Sequence, residues 1–141
     1  MSLALLVYVS SATHLFAQDE LVELLRVARG INAREEVTGL LLYQDGNFIQ
    51  ALEGPDEAVD CIYRKIQTDQ RHHQVMTLVR GPIETRIFDG WAMGFRSADE
   101  MDDADRRSFS EFLTQPADGA PTEHQEHRVQ RLLKSFKRSM R

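Results

Sequence analysis

The stretch GLLLYQDGNFIQALEGP, residues 39–55, decides the fold because it predicts two β-strands joined by a tight turn. An Asp-Gly pair between two apolar runs is the strongest short-range signal for a β-hairpin. Alternation along the second strand puts Phe48, Gln50 and Leu52 on one face of the sheet and the intervening residues on the other. Gln50 thus stands where a hydrophobic side chain would be expected. A buried amide without a partner costs roughly 1–3 kcal/mol, so the sequence predicts a hydrogen-bonding partner for Gln50.

Apolar runs and helical periodicity predict further elements on both sides of this hairpin. We predict strands over residues 3–9, 37–43, 47–53, 75–79 and 85–95, helices over residues 19–29 and 56–69, and breaks at Gly30, Gly54-Pro55 and Gly81-Pro82. The order β-α-β-β-α-β with one further strand is that of a ferredoxin-like α+β fold with a mixed five-stranded sheet. In this topology the first and third strands are neighbours, so we expect Tyr8 and Gln50 side by side in the middle of the sheet.

The character of the chain changes after residue 97. An acidic run is followed by the Pro- and Gly-rich segment TQPADGAPT, residues 114–122, and by an amphipathic basic segment, residues 123–141. We therefore predict a domain over residues 1–97 and a helical C-terminal extension over residues 98–141, with a capping or output role. Because the sheet is apolar on both faces, we expect the extension to cover the face away from the two internal helices, with Phe109 and Phe112 at the contact.

Composition excludes several classes of function. A net charge of −5 argues against nucleic-acid binding, which requires a basic surface. The single cysteine, Cys61, fits a reducing compartment, and we predict that it is buried in the second helix. No stretch approaches the roughly 20 apolar residues that a membrane span requires. We expect a cytoplasmic protein with no nucleic-acid or membrane partner.

Signatures of enzymes and metal sites are missing from the sequence. It contains no phosphate-binding loop, nucleophile elbow or zinc-protease motif. His124 and His127 stand at helical spacing, but without further cysteine or histidine ligands a solvated helix face is the simpler interpretation. We predict neither catalysis nor a metal site.

Four groups of side chains have both a structural and a ligand-binding interpretation. They are the pair Tyr8 and Gln50; Asn32 after the first helix; Asp69, Arg71 and His72 at the end of the second helix; and Trp91, Met93 and Phe95 on one face of the last strand. Structurally, they are a core hydrogen bond, a turn asparagine, polar groups ending a helix, and a core stripe. Functionally, all four groups could face one ligand.

Taken together, these segments resemble one family, the BLUF domains, which are blue-light sensors that use flavin. The matching pieces are YVSSA, the region of Asn32, TGLLLYQDGNFIQALEGP, DQRHHQV and RIFDGWAMGF. Each piece alone is a weak signal, but all five occur in the family's order and at its separations. The resemblance extends from Leu5 to about Phe95.

The resemblance implies a flavin held between the two internal helices and lying against the sheet, with FAD as the expected form and FMN or riboflavin as alternatives. It places the Gln50 amide between the Tyr8 hydroxyl and the N5/O4 edge of the flavin, as an amide with both donors and acceptors can do. It also assigns contacts with C4=O/N3 to Asn32, with C2=O to Arg71, with the ring and ribityl chain to Asp69 and His72, and with a phosphate to Lys65. This chain departs from the family at Ile31, where members often carry a polar residue, so that contact with the ribityl chain is not expected.

The resemblance further implies a switch in place of a catalyst. Light would drive an electron from Tyr8 to the flavin, with a proton moving through Gln50, and leave a rearranged hydrogen-bond network. The signal would leave through Trp91 and Met93 on the last strand toward the C-terminal helices, a separate effector protein and a second copy of the chain in a homo-oligomer. The competing class is a ferredoxin-like enzyme or ligand-binding module without flavin, such as an acylphosphatase-like hydrolase, and a colourless preparation would favour it.

Overall fold

The computed structural model describes residues 2–14, 16–44, 46–70, 72–97, 131 and 133, with the backbone alone for His72, Arg96 and Ser97. The elements are β1 (Leu3–Ala12), α1 (Gln18–Arg34), β2 (Thr38–Gln44), β3 (Asn47–Pro55), α2 (Asp56–Thr68), β4 (His72–Ile83) and β5 (Gly94–Ser97). This is the predicted order of strands and helices.

The strands form a five-stranded sheet in the order β4-β1-β3-β2-β5. Only β2 and β5 pair in parallel among the strand pairs of the described residues, so the sheet is mixed, as predicted. β1 and β3 are neighbours, and their register places Tyr8 directly opposite Gln50. The predicted hairpin is confirmed, and Gly46 adopts a φ of 85° in its turn, a conformation that glycine tolerates best.

The two faces of the sheet carry separate apolar clusters. One cluster joins the sheet to α1 and α2; its members include Leu6, Leu21, Leu25, Leu52, Val59 and Ile62. The other lies on the opposite face; its members include Leu5, Val7, Ile49, Ala51, Phe88 and Leu133. The predicted alternation along β3 is thus confirmed.

Leu133 is the residue of the C-terminal extension that tests where the last segment packs. It lies in a helix and is fully buried in the cluster on the face away from α1 and α2. This agrees with the predicted location of the last amphipathic segment. Phe109, Phe112, His124 and His127 lie outside the described residues, so the predictions made for them stay predictions.

α1 is longer than predicted because Gly30 does not end it. Gly30 is exposed and has open space where a Cβ would stand, so neither packing nor backbone conformation requires a break there. A glycine inside a helix costs about 1 kcal/mol, yet α1 continues to Arg34, and its last turn carries the buried Asn32, which is hydrogen-bonded to the carbonyl of Ala92. Asn32 therefore lies inside the helix and not in a turn after it.

Two Gly-Pro pairs that were predicted as breaks belong to strands. Gly81 and Pro82 pair with β1, which makes β4 longer than residues 75–79. β4 is an edge strand, where the missing N–H of a proline need not interrupt the sheet ladder. Gly54-Pro55 likewise forms the end of β3, opposite the start of β1.

The prediction of a last strand over residues 85–95 is wrong for most of its length. Only Gly94–Ser97 forms a strand, and residues 84–93 form a loop between β4 and β5, here called the β4–β5 loop. The alternation of side chains that holds in a strand therefore fails in this loop.

We expect Gly39→Ala to lower the free energy of unfolding by about 1–3 kcal/mol or more, as overpacking of a buried site does. Gly39 is buried in β2, and a Cβ there would clash with the backbone carbonyl of Ala51. Gly81→Ala in β4 is the matched control, because its Cβ would meet no atom within 4 Å. Equal denaturant midpoints for the two variants would contradict this account of β2.

Candidate functional site

A cavity of about 170 Å³ lies between α1, α2 and the sheet. Its apolar lining comprises Phe16, Leu24, Ala28, Ile31, Leu41, Phe48, Ile62 and Ile66, and its polar lining comprises Tyr8, Asn32, Gln50, Lys65 and Asp69. Apolar walls with a few convergent polar groups are typical of a small-molecule site. The structure thus brings five of the predicted site residues to one cavity.

Tyr8 and Gln50 form the polar centre of this cavity. Both side chains are buried, and the Tyr8 hydroxyl donates a hydrogen bond to Gln50 Oε1. Gln50 Nε2 donates to the Met93 sulfur at 3.7 Å. Thioether sulfur is a weak acceptor, so an oxygen or ring nitrogen of a ligand would serve this amide better.

Burial fixes the protonation state of Tyr8. It raises the pKa of the phenol far above its ordinary value of about 10, and the nearby Tyr63 and Asp69 raise it further. The Tyr63 ring lies 5.5 Å from the Tyr8 ring, and the Tyr63 hydroxyl is hydrogen-bonded to Thr77. Tyr8 is therefore a neutral hydrogen-bond donor at physiological pH.

The β4–β5 loop delivers its last residues to the cavity and is held there by α1. Asn32 Nδ2 donates to the carbonyl of Ala92 at 2.7 Å, and Arg29 Nε donates to the carbonyl of Met93 at 2.9 Å. Met93 is buried in the cluster shared with α1 and α2. The loop thus sets both the orientation of the Asn32 amide and the location of the Met93 sulfur.

Trp91 lies on the other side of the sheet. The prediction of a single stripe is correct for Met93 and Phe95 but wrong for Trp91, which packs beside Phe88 in the opposite cluster. Its carbonyl accepts a hydrogen bond from the Gly39 N–H, and its ring leaves no room for a Cβ at Gly94. The strand prediction failed here, because in a loop residues two apart need not share a face.

The remaining predicted residues stand at the end of α2. Lys65 is exposed and Asp69 is half-buried, and both line the cavity. Arg71 and the side chain of His72 lie outside the described residues, so their contacts stay predictions. Ile31 is an apolar part of the cavity wall.

Cys61 is exposed, and the prediction that it is buried is wrong. The buried stripe of α2 runs through Val59, Ile62 and Tyr63, which turns the side chain between them toward solvent. Cys61 does not line the cavity.

Sequence reasoning missed Glu53, a fully buried carboxylate on β3. It accepts hydrogen bonds from the backbone N–H groups of Ile87 and Phe88 in the β4–β5 loop. An acidic residue inside the apolar run IQALEG was the available signal. Its partners could not be found from the sequence, because they lie more than thirty residues along the chain.

Comparison with known proteins gives one consistent result. The profile of the family described as "BLUF: Sensors of blue-light using FAD" matches residues 3–94. The photoactivated adenylate cyclase subunit alpha of Euglena gracilis is 39% identical over 95 residues, which make up 67% of this chain and 9% of that subunit. The chain therefore spans about a tenth of that relative's length.

Two solved structures share the fold. The dark-state structure of the BLUF protein BlrB has a TM-score of 0.80 and 27% identity, with 96% of this chain and 97% of that chain covered. Klebsiella pneumoniae BlrP1 with FMN and cyclic diGMP has a TM-score of 0.71 and 28% identity, with 95% of this chain and 34% of that chain covered. Separately, none of the helices in the described part of the chain is long and apolar enough to cross a membrane.

We expect the stabilising contribution of Tyr8 to decline as pH rises above about 10, the ordinary pKa of tyrosine. Below that pH, folded and unfolded chains both keep the Tyr8 proton. Above it, the unfolded chain loses the proton while the raised pKa keeps it in the folded protein, so the free energy of unfolding falls.

Denaturant unfolding of the protein and its Tyr8→Phe variant across this pH range isolates the effect, because phenylalanine carries no proton to lose. The difference in unfolding free energy between the two should shrink as pH rises. Parallel pH profiles would contradict a raised pKa at Tyr8.

Proposed function

The chain belongs to the BLUF family of blue-light sensors that use flavin, and on that basis we propose that it is a photoreceptor whose switch is the hydrogen bond between Tyr8 and Gln50. The observation that carries this proposal is the location of that bond in the lining of an apolar cavity between two helices. The non-flavin enzyme considered from the sequence is not favoured by the family match.

The lining of the cavity fits an aromatic ring system with one polar edge. Aliphatic and aromatic side chains of α1, α2 and β3 would pack against the faces of a flavin ring, and the amides of Asn32 and Gln50 would bind its polar edge. Asp69 would lie near the ring and ribityl chain, and Lys65 at the rim would bind a phosphate. Arg71 and His72 are proposed to complete the site. The cofactor is a flavin; we propose FAD, which the family's description names, although the related BlrP1 structure contains FMN.

When bound, the flavin supplies absorption of blue light and an excited state that takes up an electron. Tyr8 would give up that electron, and its phenolic proton would pass to Gln50 Oε1, the atom that already accepts its hydrogen bond. An electron and a proton would return to Tyr8, so no net oxidation occurs; where the amide is left as its tautomer, the returning proton is the one lost from Gln50 Nε2. The Gln50 amide would be left rotated or as a tautomer, with its donors and acceptor exchanged toward its neighbours.

The signal would leave the cavity through Met93, which the Gln50 amide contacts directly. From Met93 the route continues into β5 and along the β4–β5 loop to Trp91 on the opposite face. We assign sensing to residues 1–97 and output to residues 98–141, acting on a separate effector protein or on a second copy of the chain. In the Euglena gracilis relative, whose name includes photoactivation, the matched segment is 9% of a much longer protein.

We expect Gln50→Leu to keep the flavin but to lose the reversible red shift of flavin absorption under blue light. Leucine conserves most of the side-chain volume, so the packing cost should stay below about 1.5 kcal/mol, while the bridging amide is lost. Absorption spectra before and after illumination make the measurement. Gln67→Leu, at an exposed position of α2, is the matched control and should shift normally.

Tyr8→Phe provides the second arm of the same experiment, because it removes the donor hydroxyl and keeps the ring. Tyr63→Phe is its control, since it removes a hydroxyl from the same apolar cluster without touching Gln50. A normal red shift in either Gln50→Leu or Tyr8→Phe would remove that residue from the mechanism.

We expect denaturation to release all of the flavin from the chain. Cys61 is exposed and does not line the cavity, so no thiol of the chain can reach a ligand held there. The test is to unfold the yellow protein in guanidinium and to filter it. Colour retained with the chain would show a covalent bond and contradict the proposal, and Cys61→Ser should retain the native flavin content and red shift.

A further inference from the structure

The carboxylate of Glu53 is buried on the face of the sheet opposite the cavity. Its Oε2 accepts the backbone N–H of Ile87 at 2.8 Å, and its Oε1 accepts the N–H of Phe88 at 2.6 Å and the hydroxyl of Thr38 at 2.8 Å. A buried carboxylate is costly unless it is hydrogen-bonded, and hydrogen bonds to a charged acceptor are among the strongest. Glu53 therefore fixes the start of the β4–β5 loop to β3.

Arg86 adds a second set of hydrogen bonds to this anchor. Its Nη1 donates to Thr38 Oγ1 at 3.0 Å and to the Glu53 carbonyl at 3.2 Å, and its Nη2 donates to the Glu36 carbonyl at 2.7 Å. Glu36 has a φ of 60° in the turn that follows α1, and its carbonyl packs against Gly54 so closely that a Cβ there would lie 2.8 Å away. We call Glu53, Thr38 and Arg86 the polar clamp.

The polar clamp and α1 hold the same loop at its two ends. Hydrogen bonds of the clamp join residues 86–88 to β2 and β3, and α1 binds the carbonyls of Ala92 and Met93. Between them, the Trp91 N–H donates to the Phe88 carbonyl, and Phe88 itself is fully buried. A short, internally bonded segment thus connects the polar clamp to Met93.

From this arrangement we infer that Glu53 is a positioning residue of the photoactive site, acting through the β4–β5 loop on the contact between Met93 and Gln50. The inference rests on the proposed function, because it concerns the Gln50 amide that the proposed switch uses. A glutamine at position 53 cannot replace the carboxylate, since its NH₂ group would face one of the two backbone N–H donors.

Glu53→Gln tests the inference, with Glu84→Gln as the matched control. Glu84 is exposed and lies in the same loop. The readout is the rate of return from the illuminated to the dark spectrum in the flavin-loaded protein. We expect Glu53→Gln to keep the flavin and to change this rate by about fivefold or more, as loss of one hydrogen bond would, and Glu84→Gln to stay within roughly twofold.

A double-mutant cycle with Met93→Leu separates positioning from general destabilisation. Met93→Leu conserves volume but removes the sulfur that Gln50 contacts. If Glu53 acts through Met93, both single variants should change the recovery rate in the same direction, and Glu53→Gln should add little in the Met93→Leu background. The inference would be overturned if Glu53→Gln changed the recovery rate by the same factor with and without Met93→Leu, or did not change it at all.

Arg86→Ala carries the same cycle if Glu53→Gln does not fold. This variant removes the hydrogen bonds that Arg86 donates from a partly exposed position. Its effect on the recovery rate should also be non-additive with that of Met93→Leu. Additive effects would overturn the inference. The unmodified protein separates the two levels of the argument. Its failure to show any light-induced shift would refute the proposed function and this inference together, whereas a normal shift with additive variants would refute the inference alone.

Discussion

The hydrogen bond between Tyr8 and Gln50 is the constraint on which the rest of the structure depends. A phenol and an amide are buried together in an apolar cavity, where a lost partner would cost about 1–3 kcal/mol. They meet only because β1 and β3 are neighbours in a register that places the two residues opposite each other. A slip of one residue would turn one of them to the other face of the sheet. The register between β1 and β3 therefore also sets the geometry of the site.

Sequence reasoning was most successful where the side chains follow the regular repeat of a strand or a helix. Along β3 the period of two assigns Gln50 to the face of α1 and α2, and the cross-strand partner followed from the topology. Local patterns also located the two helices that enclose the cavity. The polar residues that line it were all singled out beforehand, but on different grounds. Gln50 was visible as a polar side chain in an apolar stripe, and Tyr8 as its expected neighbour. Asn32 and Asp69 were noted at the ends of helices, and Lys65 was named through the family resemblance. Their roles toward a flavin stay proposals.

Sequence reasoning was least successful where the position of a residue in the folded protein outweighs the conformational preference of its residue type. Pro82 lies within a strand because β4 is at the edge of the sheet. Gly30 lies within a helix whose last turn carries Asn32, buried and hydrogen-bonded to the distant Ala92 carbonyl. Trp91 was assigned to the wrong face because the residues before Gly94 form a loop. Glu53 went unnoticed because its partners are backbone N–H groups, which every residue but proline possesses and which no sequence pattern marks.

The β4–β5 loop gives the proposed switch a physical route between the two faces of the sheet. Met93 contacts Gln50 on the cavity face, whereas Phe88 and Trp91 pack on the opposite face, where Leu133 of the C-terminal extension is fully buried. Hydrogen bonds hold the loop to β3, β2 and α1, so it should exchange between discrete arrangements and not drift. Replacing a weak sulfur contact by a better partner for the amide would bias such an equilibrium by about 1 kcal/mol, roughly a fivefold change in population. A bias of that size at Gln50 would reach Leu133 only if Met93 and Trp91 move together, which their separation by a single residue, Ala92, favours.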